Sequence, residues 1–319
     1  MMNFQTKVDI PEPGFNIDFK DKMLFLGSCF SDNIGSRLLN LKFPVIHNPF
    51  GVLYNPASIV KSLQRLRKVE NFTENELNYY NELWYSFYHH TSFSNSNKTD
   101  CLTNINEVYQ STCAHLKNSS YLFVNLGTAR VYHWLKTGEV VSNCHKIPAK
   151  EFKHSLLTVE EIVGILTKEI TELLEVNHDL KIIFSVSPIR HWKDGAVENQ
   201  RSKASLILAI SELEKAYSNS VYYFPVYEIF MDELRDYRFY DSDMLHPGAV
   251  GIEYVWEKFT TTFFNQETSE FVKESDAILK SLNHRVSNQN TEAFKKFKES
   301  LRRKVLNFNE KYKGEFFVV

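Results

Sequence analysis

The chain has 319 residues, of which 43% are apolar and 24% charged, with a formal net charge of −2. That length supports a sizeable core in one large or two ordinary domains, and the near-balanced charge argues against nucleic-acid or membrane partners. No apolar run is long enough to span a bilayer, and Met1 to Phe15 carries Asp9, Pro11, Glu12 and Pro13 in place of a signal pattern, so a cytoplasmic setting is expected.

In chain order, an irregular lead-in over 1–20 gives way to an apolar run, Met23-Leu24-Phe25-Leu26, that predicts a buried strand over 22–27. Gly27-Ser28 makes a turn, and Ile34, Leu38, Leu39 and Leu41 predict a helix over about 32–41. Pro44 to His47 reads as a second strand, followed by a loop with two Asn-Pro pairs around Gly51. Ala57 to Val69 is helical by periodicity, and 51–102 as a whole reads as an insertion over the sheet edge, with a strand at Leu83 to Tyr88. A helix over Asn104 to Leu116 leads to a third strand at Tyr121 to Thr128. Val131 to Trp134 and Val140-Val141 flank Lys136-Thr137-Gly138 as a hairpin. Helices at Val159 to Val176 and Ser202 to Tyr217 alternate with strands at Leu180 to Val186 and Val221 to Val226. A short helix at Tyr227 to Leu234 and one at Ala249 to Phe264 complete a domain over 1–265, and 266–319 reads as two peripheral helices. Strands alternating with helices predict an α/β fold, a three-layer α/β/α sandwich on a five-stranded, mostly parallel sheet.

Ser28 sits where ligands bind in such a sheet, at the carboxyl end of the first strand. There a serine serves as a helix cap, a phosphate binder or a nucleophile. Asp243 and His246 favour the last role. Three residues apart on one turn of chain, the carboxylate can hold the imidazole in the tautomer that accepts the serine proton. Other candidates are weaker. His145 and Lys146, in Asn143-Cys144-His145-Lys146, read as pocket wall or, for His145, as a structural histidine. Arg190 follows the fourth strand and either binds an anionic or hydroxyl-rich substrate group or pairs with Asp194 or Glu198. His89-His90 reads as surface, and Phe294 to Lys304 as a solvated basic helix face. The four cysteines, Cys29, Cys101, Cys113 and Cys144, are widely spaced with no C-x-x-C pair, which argues against zinc and disulfides. Neither a G-x-G-x-x-G nor a P-loop motif is present, so no nucleotide cofactor is expected.

Gly27-Ser28-Cys29-Phe30-Ser31 resembles the signature of the GSCFA family, with Ser31 in place of its final alanine. Further blocks resemble that family: Asn48-Pro49-Phe50-Gly51, Gly127-Thr128-Ala129-Arg130, Asn143 to Lys146, Ser187-Pro188-Ile189-Arg190-His191, Glu198-Asn199 with Ser202-Lys203, and Asp243 to Pro247. Together they cover roughly residues 20–260. The family belongs to the SGNH/GDSL hydrolases, so the resemblance implies their flavodoxin-like strand order, with Ser28 as nucleophile, His246 as general base then acid, and Asp243 as its orienter. It also implies an oxyanion hole built from the nucleophile's N–H, a glycine N–H, for which Gly51 is the candidate, and an asparagine side chain. The third strand ends in Gly127-Thr128-Ala129 where that asparagine belongs, leaving Thr128 or Asn143 to supply the donor.

The expected function is therefore hydrolysis of an acyl ester of a carbohydrate or small molecule, by an esterase or deacetylase needing no metal or organic cofactor. Two alternatives remain at this point: an O-acyltransferase using the same triad on a sugar hydroxyl, and a binding module that kept the fold without turnover.

Overall fold

The computed structural model describes residues 5–283 and 291–318. Its first strand, β1 (Met23–Gly27), is buried along its whole length. Ser28 ends it and caps α1 (Cys29–Asn40), its Oγ accepting the Phe30 N–H at 3.3 Å, because the first N–H groups of a helix have no partner within it. Phe30, Ile34 and Leu38, about one turn apart, form the buried stripe of α1. After β2 (Val45–His47) comes α2 (Pro56–Lys68), which Asn55 caps and which Pro56 opens at a position where a missing N–H costs nothing. A hairpin of β3 (Asn78–Tyr80) and β4 (Leu83–Tyr85) precedes α3 (Lys98–Lys117) and β5 (Tyr121–Leu126). Then β6 (Arg130–Trp134), β7 (Val140–Val141) and β8 (Phe152–Leu156) form a separate antiparallel sheet. The chain continues through α4 (Val159–Val176), β9 (Lys181–Val186), α5 (Ala196–Ala216), β10 (Val221–Tyr223), α6 (Val226–Glu228), α7 (Ala249–Phe263), α8 (Gln266–Leu282) and α9 (Glu292–Tyr312).

The main sheet runs β10-β9-β5-β1-β2 with every pairing parallel, the flavodoxin-like doubly wound order expected from the sequence. Period-2 alternation divides it between two cores. Leu24, Leu26, Leu122, Val124 and Leu126 face the layer of α2, α3, α4 and α5. Met23, Phe25, Tyr121 and Phe123 face α1, α7, α8 and α9. Phe25 and Phe123 are partners in register, and their rings stack at 4.3 Å.

Three local expectations shift. The hairpin of β6 and β7 gains β8, which the sequence hides because Lys153 and His154 in its middle are exposed. The last strand ends at Tyr223, before Pro225, which has no N–H for a ladder. His89, read as surface, is only 1% exposed and packs among Phe50, Phe72 and Phe93, so burial pushes its imidazole down to about 3. Within 51–102, α2 packs on α4 as part of the helical layer, while the β3–β4 hairpin stands apart from the main sheet. The first four residues of the lead-in lie outside the described residues. Among the described residues no helix is long and apolar enough to cross a membrane.

The C-terminal helices complete the second core. Phe271 of α8 is fully buried, with its ring 4.4 Å from Phe19, 5.1 Å from Phe308 and 4.9 Å from Tyr312. Phe271→Ala is expected to cost about 3–5 kcal/mol in urea unfolding, the range for deleting a buried ring. A loss below about 1 kcal/mol would mean that α8 does not share the core.

Candidate active site

The turn after β1 is fixed by backbone geometry before any side chain acts. Gly27 has φ +142°, and a Cβ there would lie 2.2 Å from the Asn125 carbonyl oxygen, so only glycine fits. Its N–H donates to Asn48 Oδ1 at 2.9 Å and its carbonyl accepts from Leu53 N–H at 2.9 Å. Asn48 in turn donates to Asp32 Oδ1 at 2.8 Å, and His47 Nδ1 lies 3.1 Å from the same oxygen. Burial works to raise the Asp32 carboxyl, but the bonds from His47 and Asn48 outweigh it and hold the group below its ordinary value.

Ser28 is buried at the end of this turn. Its N–H donates to the Asn125 carbonyl at 3.2 Å, and its Oγ donates to Asn125 Oδ1. Asn125 Nδ2 continues the line to Ser185 Oγ at 2.7 Å. Three neighbouring strands, β1, β5 and β9, are thus joined by polar side chains at their carboxyl ends.

Asp243 and His246 stand on the loop before α7. That loop is closed by Asp241 N–H donating to the His246 carbonyl at 2.8 Å and Gly248 N–H donating to the Phe239 carbonyl at 2.8 Å. Asp243 Oδ1 accepts the N–H groups of Leu245 and His246, both at 2.9 Å, while Oδ2 lies 2.5 Å from His246 Nδ1. A carboxylate only accepts, so Nδ1 carries the proton and Nε2 is left as the basic nitrogen. The backbone N–H of His246, then that of Leu245 and the imidazole, hold the Asp243 carboxyl down at about 2. The orienting charge therefore survives to strongly acid pH.

Ser28 and His246 line one cavity of about 690 Å³ at the carboxyl end of the sheet, shared with Tyr54, Asn143, Arg190 and His191. No hydrogen bond joins Ser28 to His246 among the described residues, since the serine hydroxyl is turned to Asn125. Asn143 uses Oδ1 to accept the His145 N–H at 2.8 Å, which leaves its Nδ2 as a donor on the cavity wall. Thr128 also lines the cavity, but its N–H donates to the Tyr54 carbonyl at 2.9 Å and its Oγ1 is 2.9 Å from Ser202 Oγ. Gly51 and His145 lie elsewhere. The Gly51 N–H donates to the Asn48 carbonyl at 2.7 Å inside its own loop. His145 is buried with Nε2 3.0 Å from the Ser86 carbonyl and its ring stacked on Tyr85 at 4.2 Å, the structural alternative. Asp194 and Glu198 pair with Arg130, at 3.6 and 2.6 Å, and Arg190 pairs with neither. No group of three His, Cys, Asp or Glu able to hold a metal exists among the described residues.

Three residues to which sequence reasoning assigned no role stand in or beneath this cavity, although His191 and Lys203 belong to blocks quoted above. Asn125 lies in mid-strand, where a polar residue among Val124 and Leu126 was the available signal. His191 has its ring against Gly127, whose Cβ, if present, would sit 3.2 Å from Nε2. Burial first and the Lys203 cation second push that imidazole down to about 4, so it is neutral near pH 7. Lys203 is fully buried and donates to the carbonyls of Gly127 and Ser187, both at 2.6 Å, tying together the chain ends after β5 and β9. Burial, then the Arg190 guanidinium, bring its ammonium down to about 7.

The sequence model described as the GSCFA family matches residues 22–259, a span that contains Ser28, Asp243 and His246 and leaves out α8 and α9. No curated protein matches the chain.

Two outcomes follow from this geometry. Gly27→Ala is expected to lose at least about 3 kcal/mol of stability in urea, because strain at positive φ adds to a backbone clash. A variant as stable as wild type would contradict the turn described. Lys203 has a native pKa below its unfolded value, so between about pH 7 and 10 the unfolded chain binds more protons and the native state gains stability as pH rises. The stability advantage of wild type over Lys203→Met should therefore grow from about pH 7 to about pH 10. A constant or shrinking difference would place the charge of Lys203 in solvent.

Proposed function

We propose, from the premise that the chain belongs to the GSCFA family, that it is a serine-dependent hydrolase of the SGNH type acting on an acyl ester of a small molecule or carbohydrate. One observation carries this reading. Ser28, at the carboxyl end of β1, faces the same cavity as His246, whose Nδ1–H is held by Asp243.

In the proposed reaction the Ser28 hydroxyl turns from Asn125 to His246 Nε2 as the ester enters. His246 takes the proton while Oγ forms a bond to the ester carbonyl carbon, and Asp243 stabilises the resulting imidazolium. The tetrahedral intermediate expels the alcohol, which leaves with the proton from His246. Water then attacks the acyl-serine, His246 again takes and returns a proton, and the carboxylic acid departs from a restored Ser28. Of the donors the sequence suggested, the N–H groups of Ser28 and Gly51 already donate to carbonyls and the Thr128 hydroxyl is 2.9 Å from Ser202 Oγ, which leaves Asn143 for the developing oxyanion. Asn143 Nδ2 and the neutral ring of His191 are the side-chain donors on the cavity wall suited to that place, where one donor is worth about 3 kcal/mol.

The side chains of His246 and Asp243 are 49% and 46% exposed. Water therefore reaches the base freely, which favours hydrolysis over transfer to a sugar hydroxyl. The bond from Ser28 to Asn125 is what favours a binding module without turnover, since it holds the nucleophile away from its base.

Turnover of p-nitrophenyl acetate separates the enzymatic readings from the binding one. Ser28→Ala should lower kcat by about a thousandfold or more while the protein stays folded. Wild type turning over no faster than Ser28→Ala would leave only the binding reading.

A further inference from the structure

Next to the catalytic cavity lies a second one of about 540 Å³, and the two share Arg190, Trp192 and Leu245 as a common wall. The second cavity is formed by the loop after β9, the turn following α6 and the loop that carries Asp243. Its wall carries Phe230, Met231, Leu234 and Tyr240 as an apolar stretch, bordered by Arg190, Arg235, Asp236 and Asp243. Trp192, Tyr237 and Met244 are 55%, 73% and 50% exposed at its rim. Three large apolar side chains left in water around one groove are a cluster, where scattered single ones would need no explanation.

The charges around this groove are matched, with one exception. Arg235 pairs with Asp232 at 2.5 Å, and Asp236 pairs with Arg238 at 3.5 Å. Asp243 is bonded to His246. Arg190, only partly exposed, has Met231 Sδ at 3.5 Å as the hydrogen-bond partner of its guanidinium and no carboxylate among the described residues. A guanidinium carries five donors in a planar fork suited to carboxylate or phosphate, and a thioether is a poor acceptor. The junction between the two cavities is therefore an anion site, and an apolar groove leads away from it.

We infer that this groove is a subsite for an amphipathic anion: an oxyanion, carboxylate or phosphate, held by Arg190, with an apolar chain lying over Met231, Phe230 and Tyr237. The serine-hydrolase reading enters only in saying that the scissile ester of such a ligand lies on the Ser28 side of Arg190. The substrate class is then an ester that carries an anionic group and an apolar chain, in preference to a neutral sugar ester.

Calorimetric titration of the full chain with octyl phosphate, octanoate, inorganic phosphate and octyl glucoside tests the subsite without requiring turnover. Octyl phosphate and octanoate should each bind at least about tenfold more tightly than inorganic phosphate or octyl glucoside, since they alone use both features. The stronger of the two octyl anions shows whether the fork holds phosphate or carboxylate. Arg190→Met should remove about that tenfold while Arg190→Lys keeps part of it, and Tyr237→Ser should weaken the octyl anions more than inorganic phosphate. Circular dichroism establishes that each variant is folded. Octyl glucoside binding as tightly as octyl phosphate, or Arg190→Met binding octyl phosphate like wild type, would overturn the subsite. Preferential binding in a protein that shows no Ser28-dependent turnover would support the subsite and count against the hydrolase reading alone.

Discussion

The side chain of Asn125 is the constraint on which the site depends. It accepts the Ser28 hydroxyl and donates to Ser185, and its carbonyl accepts the Ser28 N–H. All three residues are buried, and a buried polar line of this kind stabilises only when every member is satisfied. Here each supplies what the next requires, so the carboxyl ends of β1, β5 and β9 are held level. Shifting β5 by one residue would turn Asn125 into an apolar layer and leave the serine without its partner. The same bond turns the Ser28 hydroxyl to an amide and away from His246.

The strand order explains why this point becomes a cavity. From β1 the sheet grows outward in both directions, towards β2 on one side and towards β5, β9 and β10 on the other. α1 goes to one face, while α2, α3, α4 and α5 cover the other, so the connections diverge at Ser28 and leave a crevice between them. Into that crevice the fold delivers the Asp243–His246 loop from just before α7 and the Arg190–His191 segment after β9. Lys203 braces the floor. By binding the Gly127 and Ser187 carbonyls it satisfies acceptors that the ends of β5 and β9 leave in a buried place, at the cost of holding an ammonium among apolar groups.

Much of the fold was legible because strands buried on both faces read as unbroken apolar runs, as Met23 to Leu26 and Tyr121 to Val124 do. The Ser28 turn and the Asp243–His246 pair were legible too, because short spacing along the chain fixes their local geometry. What could not be read depends on contacts between distant segments. Gly51 has the positive φ that singles out a glycine, yet its N–H closes its own turn. Arg190 and Arg130 are equally basic in sequence, and only the packing of α5 decides that Glu198 pairs with Arg130. His89 and His90 are adjacent and of one type, and the aromatic cluster of Phe50, Phe72 and Phe93 draws only the first inside. Asn125 was hidden for the same reason: its worth lies in which side chains the neighbouring strands place beside it.

In the proposed reaction Ser28 becomes a nucleophile when its hydroxyl exchanges Asn125 for His246. The most direct measurement is phosphonylation by a fluorophosphonate, followed by peptide mass spectrometry. One adduct is expected, on Ser28, formed at a rate that falls by about a thousandfold in His246→Ala. No adduct on Ser28, or labelling of Ser28 at the same rate with and without His246, would contradict it.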